Sequence, residues 1–567
     1  MRKILTIICF VLLVTPAWSA DYYVASTAVG SEDCSSTGDA CTLTTLDTNW
    51  STIRTSLDSE DVNVNLKRGD TFTLSARWAV LGDTVTDKTY RLYIKDYGSG
   101  DKPKIRRAGG TELIRLNENS NVTFENLDLA FTGTPDNGSR GIDWKNDDAN
   151  GAGGLHIITC DFSNIDYYAI AIHGDSDYPI IQGNTFTDVG NGLYTINATS
   201  GSSDYGYAAD NTCTNMDWGN VFGSDGHCIA ITDASYWVVE DNTSYNTASA
   251  SYINFINTGS TGVYTVWRRN KTLGASEIHG HVVAYQDNNG TASSYGHLVY
   301  QNIIENTSTA SSYGTAIVFM NMEPASIGNR AFNNTIYDVE DYGIGARDDN
   351  NRAYFYNNIV WTDGITSGDR LAYLYDRDLG GGMGSDNYFS KNLYYSGSGD
   401  PSAAAVWVDE GGTARTWAAW KATSGYDTDS PTPADPLFTL ASSDDFSLSE
   451  GSPAIDTGTW LTTISDAAGS GTSFTVTDGA WFHGTFGSMV DEDGNAVAGS
   501  PIALSNGQTA VVSSVTGNTI TVASSVTWTQ NVTTIALSPV YGTAPDIGAV
   551  EYESPVPSNA IQGVSIN

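Results

Sequence analysis

An all-β solenoid is the fold class this sequence predicts, and two observations predict it. The first is a repeat. Short apolar or aromatic segments (NVTFEN, HIITCD, PIIQGN, YAADN, WVVEDN, TVWRRN, LVYQN, RAFNN, YFYNN) end on Asn126, Asp161, Asn184, Asn211, Asn242, Asn270, Asn302, Asn334 and Asn358, with Asn392 as a further member. Successive positions lie 23 to 35 residues apart. That is one unit with loops of variable length, and such a unit buries its apolar face only against its neighbours. A carboxamide at a buried corner both donates and accepts, so it can satisfy the coils above and below. The second observation is composition: 58 Gly, 31 Tyr, many Thr and Asn, and almost no helical period, so helix should be scarce.

From the N-terminus, Arg2 and Lys3, the apolar run Ile4 to Val14 and then Ala17-Trp18-Ser19 read as a secretory signal over 1–19. The mature protein is expected outside the cytoplasm, extracellular or periplasmic, with no later run long enough to span a bilayer. A formal net charge of −38 opposes nucleic-acid and anionic-membrane partners. It argues more weakly against a polyanionic substrate, because a few local cations override it. Cys34 and Cys41 are expected to pair, as exported neighbours do. Cys160, Cys213 and Cys228 show no zinc spacing and are expected as buried thiol or one further bridge.

Residues 20–115 read as an N-terminal cap with first coils. Within them VNLKRGDTFTLSARWAV followed by RLYIKDYGSGDKPKI resembles the opening of secreted bacterial proteins of the pectin-lyase-like superfamily. The resemblance implies a right-handed parallel β-helix of three-stranded coils with an Asn ladder, over 116–400, and a monomer. It also implies that the outward face of each coil's first strand lines a substrate groove. Those strands are GIDWKN, AIAIHG, LYTINA, CIAITD, YINFIN, VVAYQD, AIVFMN and GIGARD. A two-residue period turns Ile142, Ile170, Ile172, Ile196, Ile229, Ile231, Phe255, Tyr285, Phe319 and Ile344 inward. After linker-like stretches, 401–462 reads as a C-terminal β segment, 463–538 as a small inserted β-barrel-like module, and 539–567 as a closing strand and tail.

On the outward face the period leaves Asp143, Lys145, His173, Asn197, Asn254 and Arg347. Lys145, His173 and Asn197 fall in one row of three consecutive coils. An ammonium beside an imidazole lowers the pKa of both, and the neutral form of either can take a proton near neutrality. This suits β-elimination on a uronate polymer, where a cation neutralises the carboxylate, a base takes the C5 proton and an acid assists the leaving oxygen. Catalytic roles are expected for Lys145, His173, Asp225 and His227. Substrate contacts are expected from Asp143, Asn197, Asn254, Trp218 and Arg347.

A hydrolase on the same scaffold needs two carboxylates facing one bond, and Asp143, Asp217, Asp225 and Glu277 are the candidates. The Asp-Gly-His phrase around Asp225 and His227 resembles polygalacturonase-type hydrolases, without their paired aspartates. GASEIHGHVV resembles the Gly-x-Ser-Glu-Ile phrase of chondroitinase-B-like alginate lyases, but Val282 stands about where their Lys follows. Ca²⁺ is the one cofactor in view, through Glu277 or the Asp147-Asp148 and Asp348-Asp349 turns. The expected function is a secreted polysaccharide-degrading enzyme, lyase ahead of hydrolase, with a non-catalytic carbohydrate-binding or surface β-helix as the alternative.

Overall fold

The computed structural model describes residues 19–553 except 84–87, 118–120, 147–153, 175, 197–201, 217–225, 248–250, 257–260, 275–282, 288–292, 308–314, 321–327, 340–341, 348–351, 366–367 and 376–385. Coil after coil, strands pair in parallel with the same strand of the next coil. A back sheet stacks 13 strands, from Ala20–Val24 through Val266–Arg268 to Tyr388–Ser390. A second sheet holds two ribbons. The front ribbon carries Glu112–Asn117, Arg140–Asn146, Ile229–Thr232, Thr315–Met320, Tyr342–Arg347 and Arg370–Tyr375. The side ribbon runs from Thr71–Leu74 to Leu393–Ser396. Asp161–Gly174 and Thr185–Ile196 pass through both ribbons. Crossovers between parallel strands wind right-handed, so the fold is a right-handed parallel β-helix.

Alternation fills the lumen with Phe124, Ile157, Ile181, Val239, Trp267, Val299 and Phe355 from the back sheet, all at most 1% exposed. The corner after each back strand is made by one residue in the left-handed region. Gly183, Asp210, Asp241, Arg269, Gln301, Asn333, Asn357 and Lys391 hold φ between 51° and 67°. Asn, Asp and Gly dominate there because they tolerate this conformation best.

The next residue turns its side chain inward, and here the carboxamides join. Asn184 Nδ2 donates to Asn211 Oδ1 at 3.0 Å, and the chain continues through Asn242, Asn270, Asn302, Asn334 and Asn358 to Asn392. Each Nδ2 also donates to a back-strand carbonyl, as Asn270 does to Val239 at 2.9 Å. Each Oδ1 also takes the preceding Asn's backbone N–H, as Asn302 does from Asn270 at 2.9 Å. Asn126 and Asp161 are corrections. Leu127 and Cys160 hold the inward place in their coils, both 0% exposed. Asn126 occupies the left-handed turn position with φ 58°, one residue too early. Asp161 opens the next strand and pairs with Lys102 at 2.9 Å.

The ends of the stack are closed. Helices Leu43–Thr48 and Trp50–Ser56 and the Cys34–Cys41 disulfide cover the first coil. At the other end the ladder terminates on buried Asp427, which accepts from Asn392 Nδ2, Tyr394 and Trp420. A second disulfide joins Cys213 to Cys228, and Cys160 is a buried free thiol whose pKa burial pushes up to about 12. No helix among the described residues is long and apolar enough to cross a membrane.

The C-terminal region occupies two of the three faces. Six antiparallel strands between Thr462 and Leu537 form a sheet whose ends meet at an Ile464–Val476 bridge. Its Phe474, Trp481, Phe482 and Ile502 pack on Tyr207, Val266, Tyr300 and Phe332 of the back sheet. Arg268 is buried at that seam, bonded to Glu240, Tyr300 and His483. Phe438 and Phe446 lie against Tyr337 of the side ribbon.

Removing one rung tests the ladder. Asn270→Ala strips the acceptor from the Asn242 backbone N–H and the donor from the Val239 carbonyl. A loss of about 3 kcal/mol in unfolding free energy is expected by denaturant titration, against about 0.5 kcal/mol for Asn506→Ala in an exposed turn.

Candidate active site on the front ribbon

Strand pairing defines three outward rows on the front ribbon, with about 4.8 Å between neighbours in a row. The first row runs Glu112, Arg140, Tyr168, Asn191; the second Arg115, Asp143, Ala171, Tyr194, Ala230, Ile253; the third Asn117, Lys145, His173, Ile196. Gly141 allows the Arg140–Asn146 strand to seat, since a Cβ there would meet the Ala169 carbonyl at 2.4 Å.

Asp143 is the centre of this region. Its carboxylate is 0% exposed and is ringed by His173 Nε2 at 2.8 Å and three cations, Arg140 at 2.9 Å, Arg115 at 3.5 Å and Lys145 Nζ at 3.7 Å. Arg115 also bridges to Glu112, which reaches Arg77 at 3.5 Å. Burial alone would raise the Asp143 carboxyl pKa. The His173 hydrogen bond and the charges of Arg140, His173 and Lys145 outweigh it and hold the value at about 2. An ionised carboxylate only accepts, so His173 Nε2 carries the proton and the tautomer places the lone pair on Nδ1.

Beside this network lies a chain of rings. The Arg140 guanidinium sits 5.8 Å from the Tyr168 ring centroid, Tyr168 lies 4.6 Å from Tyr194, and Tyr194 lies 6.5 Å from His227. Burial raises the Tyr168 pKa, so its phenol stays protonated. His227 is itself buried, its backbone N–H held by Asn191 Oδ1 at 2.9 Å.

Several expected positions are redrawn. Lys145 and His173 share a row, but the ammonium and imidazole do not face each other bare, because Asp143 contacts both. Asp143 faces outward yet is sealed beneath its partners, so it positions them and cannot touch a polymer. The row continues to Ile196, not Asn197, because a bulge between Ile165 and Tyr168 adds one residue to the earlier coil and flips the parity of the later one. Ile196 is therefore outward, and Thr195 inward. Asn254 is inward as well, paired with Ile231 and 0% exposed, and it cannot contact substrate. Phe255 takes the register of Thr232 in the outward row. Arg347 does lie on the outward row, beside Met320. Asn197, Asp217, Trp218, Asp225, Glu277 and the Asp147-Asp148 and Asp348-Asp349 turns lie outside the described residues. Among the described residues no group of three or more His, Cys, Asp or Glu side chains is arranged to hold a metal.

Arg115, Arg140, Tyr168 and Tyr194 escaped sequence reading. ELIRLN repeats the pattern of GIDWKN one coil earlier, with Arg115 in the place of Asp143. Starting the coils at about 116 hid that repeat.

No family model and no curated protein matches the chain. Among solved structures it is similar to a pectate lyase (11% identity, 95% of this chain and 97% of that one, TM-score 0.38). It is also similar to the A-module of a mannuronan C-5 epimerase from Azotobacter vinelandii (12%, 67% and 93%, TM-score 0.42). A third is an alginate lyase from Paenibacillus sp. (14%, 54% and 91%, TM-score 0.33). The fold itself rests on the strand pairing above. At that level it matches the β-helix that the opening segments resemble.

Asp143 is a depressed carboxyl, so its contribution to stability is present above its ordinary pKa of 3.8 and drains away as pH falls towards 2. Asp143→Asn should lower unfolding free energy at neutral pH by about 3 kcal/mol, since it strands buried cations. It should also flatten the acid limb between pH 4 and 2. Melting temperature against pH for both proteins checks this; parallel acid limbs would contradict it.

Proposed function

We propose that the protein is an exported enzyme that cleaves a uronate-containing polysaccharide by β-elimination on the front ribbon. The observation that carries this reading is His173 held on the buried Asp143 carboxylate with Arg115, Arg140 and Lys145 around it, in a chain of formal charge −38. So dense a basic cluster on an acidic protein is suited to an anionic ligand.

His173 Nδ1 removes the C5 proton, and Asp143 stabilises the imidazolium that forms. The electron pair released at C5 forms the C4–C5 double bond as the C4–O glycosidic bond breaks. Arg140 pairs with the uronate carboxylate, so that the carbanionic charge is delocalised onto a neutralised group. Lys145, one coil from His173 and with the most exposed side chain of the cluster at 34%, gives a proton to the leaving oxygen. The two carboxylates of the described outward rows, Glu112 and Asp143, are buried and bound to arginines. That favours elimination over a two-carboxylate hydrolysis.

The test is incubation of the mature protein with acidic and neutral polysaccharides, reading unsaturated-uronate absorbance together with reducing ends. Both signals are expected to rise on a uronan. His173→Ala and Lys145→Ala should each lower kcat by at least about a hundredfold while melting as a folded protein. Reducing ends without absorbance would replace the reading by hydrolysis, and full turnover in both variants would sink the assignment of these residues.

A further inference from the structure

Arg347 is buried, 8% exposed, and its Nε is enclosed without a hydrogen-bond partner. It makes no hydrogen bond or ion pair with any described residue. The two other arginines buried to this degree each hold a carboxylate: Arg268 bonds Glu240, and Arg330 bonds Asp478 at 2.9 Å. An enclosed guanidinium without an anion is costly, and folded proteins ordinarily supply one. Among the described residues none is supplied to Arg347.

Register gives Arg347 a place. It stands in the row of Lys145 and His173, six coil steps further on, through Ile196, Thr232, Phe255, Gln286 and Met320. At the usual coil spacing that is about 29 Å from His173. Between the two ends the adjoining positions are apolar: Ala230, Ile253, Val318 and Met320 belong to one cluster, with Tyr194 packed against it. One outward face thus has a cationic cluster at one end, an apolar floor, and a lone cation at the other.

Resting on the uronan-cleaving reading, we propose that Arg347 is a distal subsite that takes the carboxylate of a uronate unit several residues from the cleaved bond. It makes the enzyme selective for long chains. Short oligouronates, unable to bridge the two ends, occupy the Asp143 region alone.

The experiment uses the full chain carrying His173→Ala, which binds without turnover, titrated with oligouronates shorter and longer than the span. Adding Arg347→Gln should weaken the long ligand about tenfold, reduce the salt dependence of its binding, and leave the short ligand unchanged; Arg347→Lys should restore much of the loss. Unchanged affinity for the long ligand overturns the proposal, and so does an equal loss for both lengths, which would indicate a disturbed fold. If the wild type still cleaves uronans in either case, the functional reading stands without the subsite. Failure of the wild type to cleave or bind any uronan removes both.

Discussion

A parallel stack has no hairpins to fix its register locally, so something must align every coil with the one above it, and here a run of buried carboxamides does so. Each Asn from Asn184 to Asn358 hands two N–H groups, its backbone amide and one Nδ2–H, to the next Asn's Oδ1, which leaves no slack for a coil to slide by a residue. Everything the outward face does depends on that alignment. His173 meets Asp143 only because Lys145 and His173 are held opposite one another across adjacent coils. A slip of one residue would turn His173 into the lumen.

The site is built from charges that the rest of the chain opposes. Asp143 keeps Arg115, Arg140, Lys145 and His173 close without mutual repulsion, and they in turn keep it ionised though no water reaches it. The arrangement resembles a keystone more than a reagent. The groups left facing outward are cations and an imidazole of fixed tautomer.

The repeat and the fold class were legible because the corner Asn recurs and the strands alternate. Two kinds of feature were not. Asn126 stands one residue before the inward place because the left-handed turn position favours the same residue types as the ladder, whereas Asp161 stands one residue after it, past Thr159 in the turn and Cys160 facing inward. Counting in twos puts Asn197 outward because it crosses a bulge that counting cannot see, and it puts Asn254 outward by turning the larger apolar Phe255 inward, whereas an unbroken register pairs Asn254 with inward Ile231. Lys145, His173 and Arg347 were placed on the outward face correctly, by alternation within uninterrupted strands. Arg115 and Arg140 were missed because their importance lies in three-residue diagonals to Glu112 and Asp143, which a sequence shows only once the rows are known.

The seam between the back sheet and the strands after Thr462 bears on the order of synthesis. Tyr207, Val266, Tyr300 and Phe332 emerge from the ribosome well before Phe474, Trp481 and Phe482, which cover them. Until that late segment exists, the growing stack carries an apolar flank and a buried-ion site with Arg268 still lacking His483. A chain interrupted before residue 460 would keep its ladder and its outward rows, yet expose a sticky side to its neighbours. The final fifth of the polypeptide therefore acts as a seal on molecules that were made to the end.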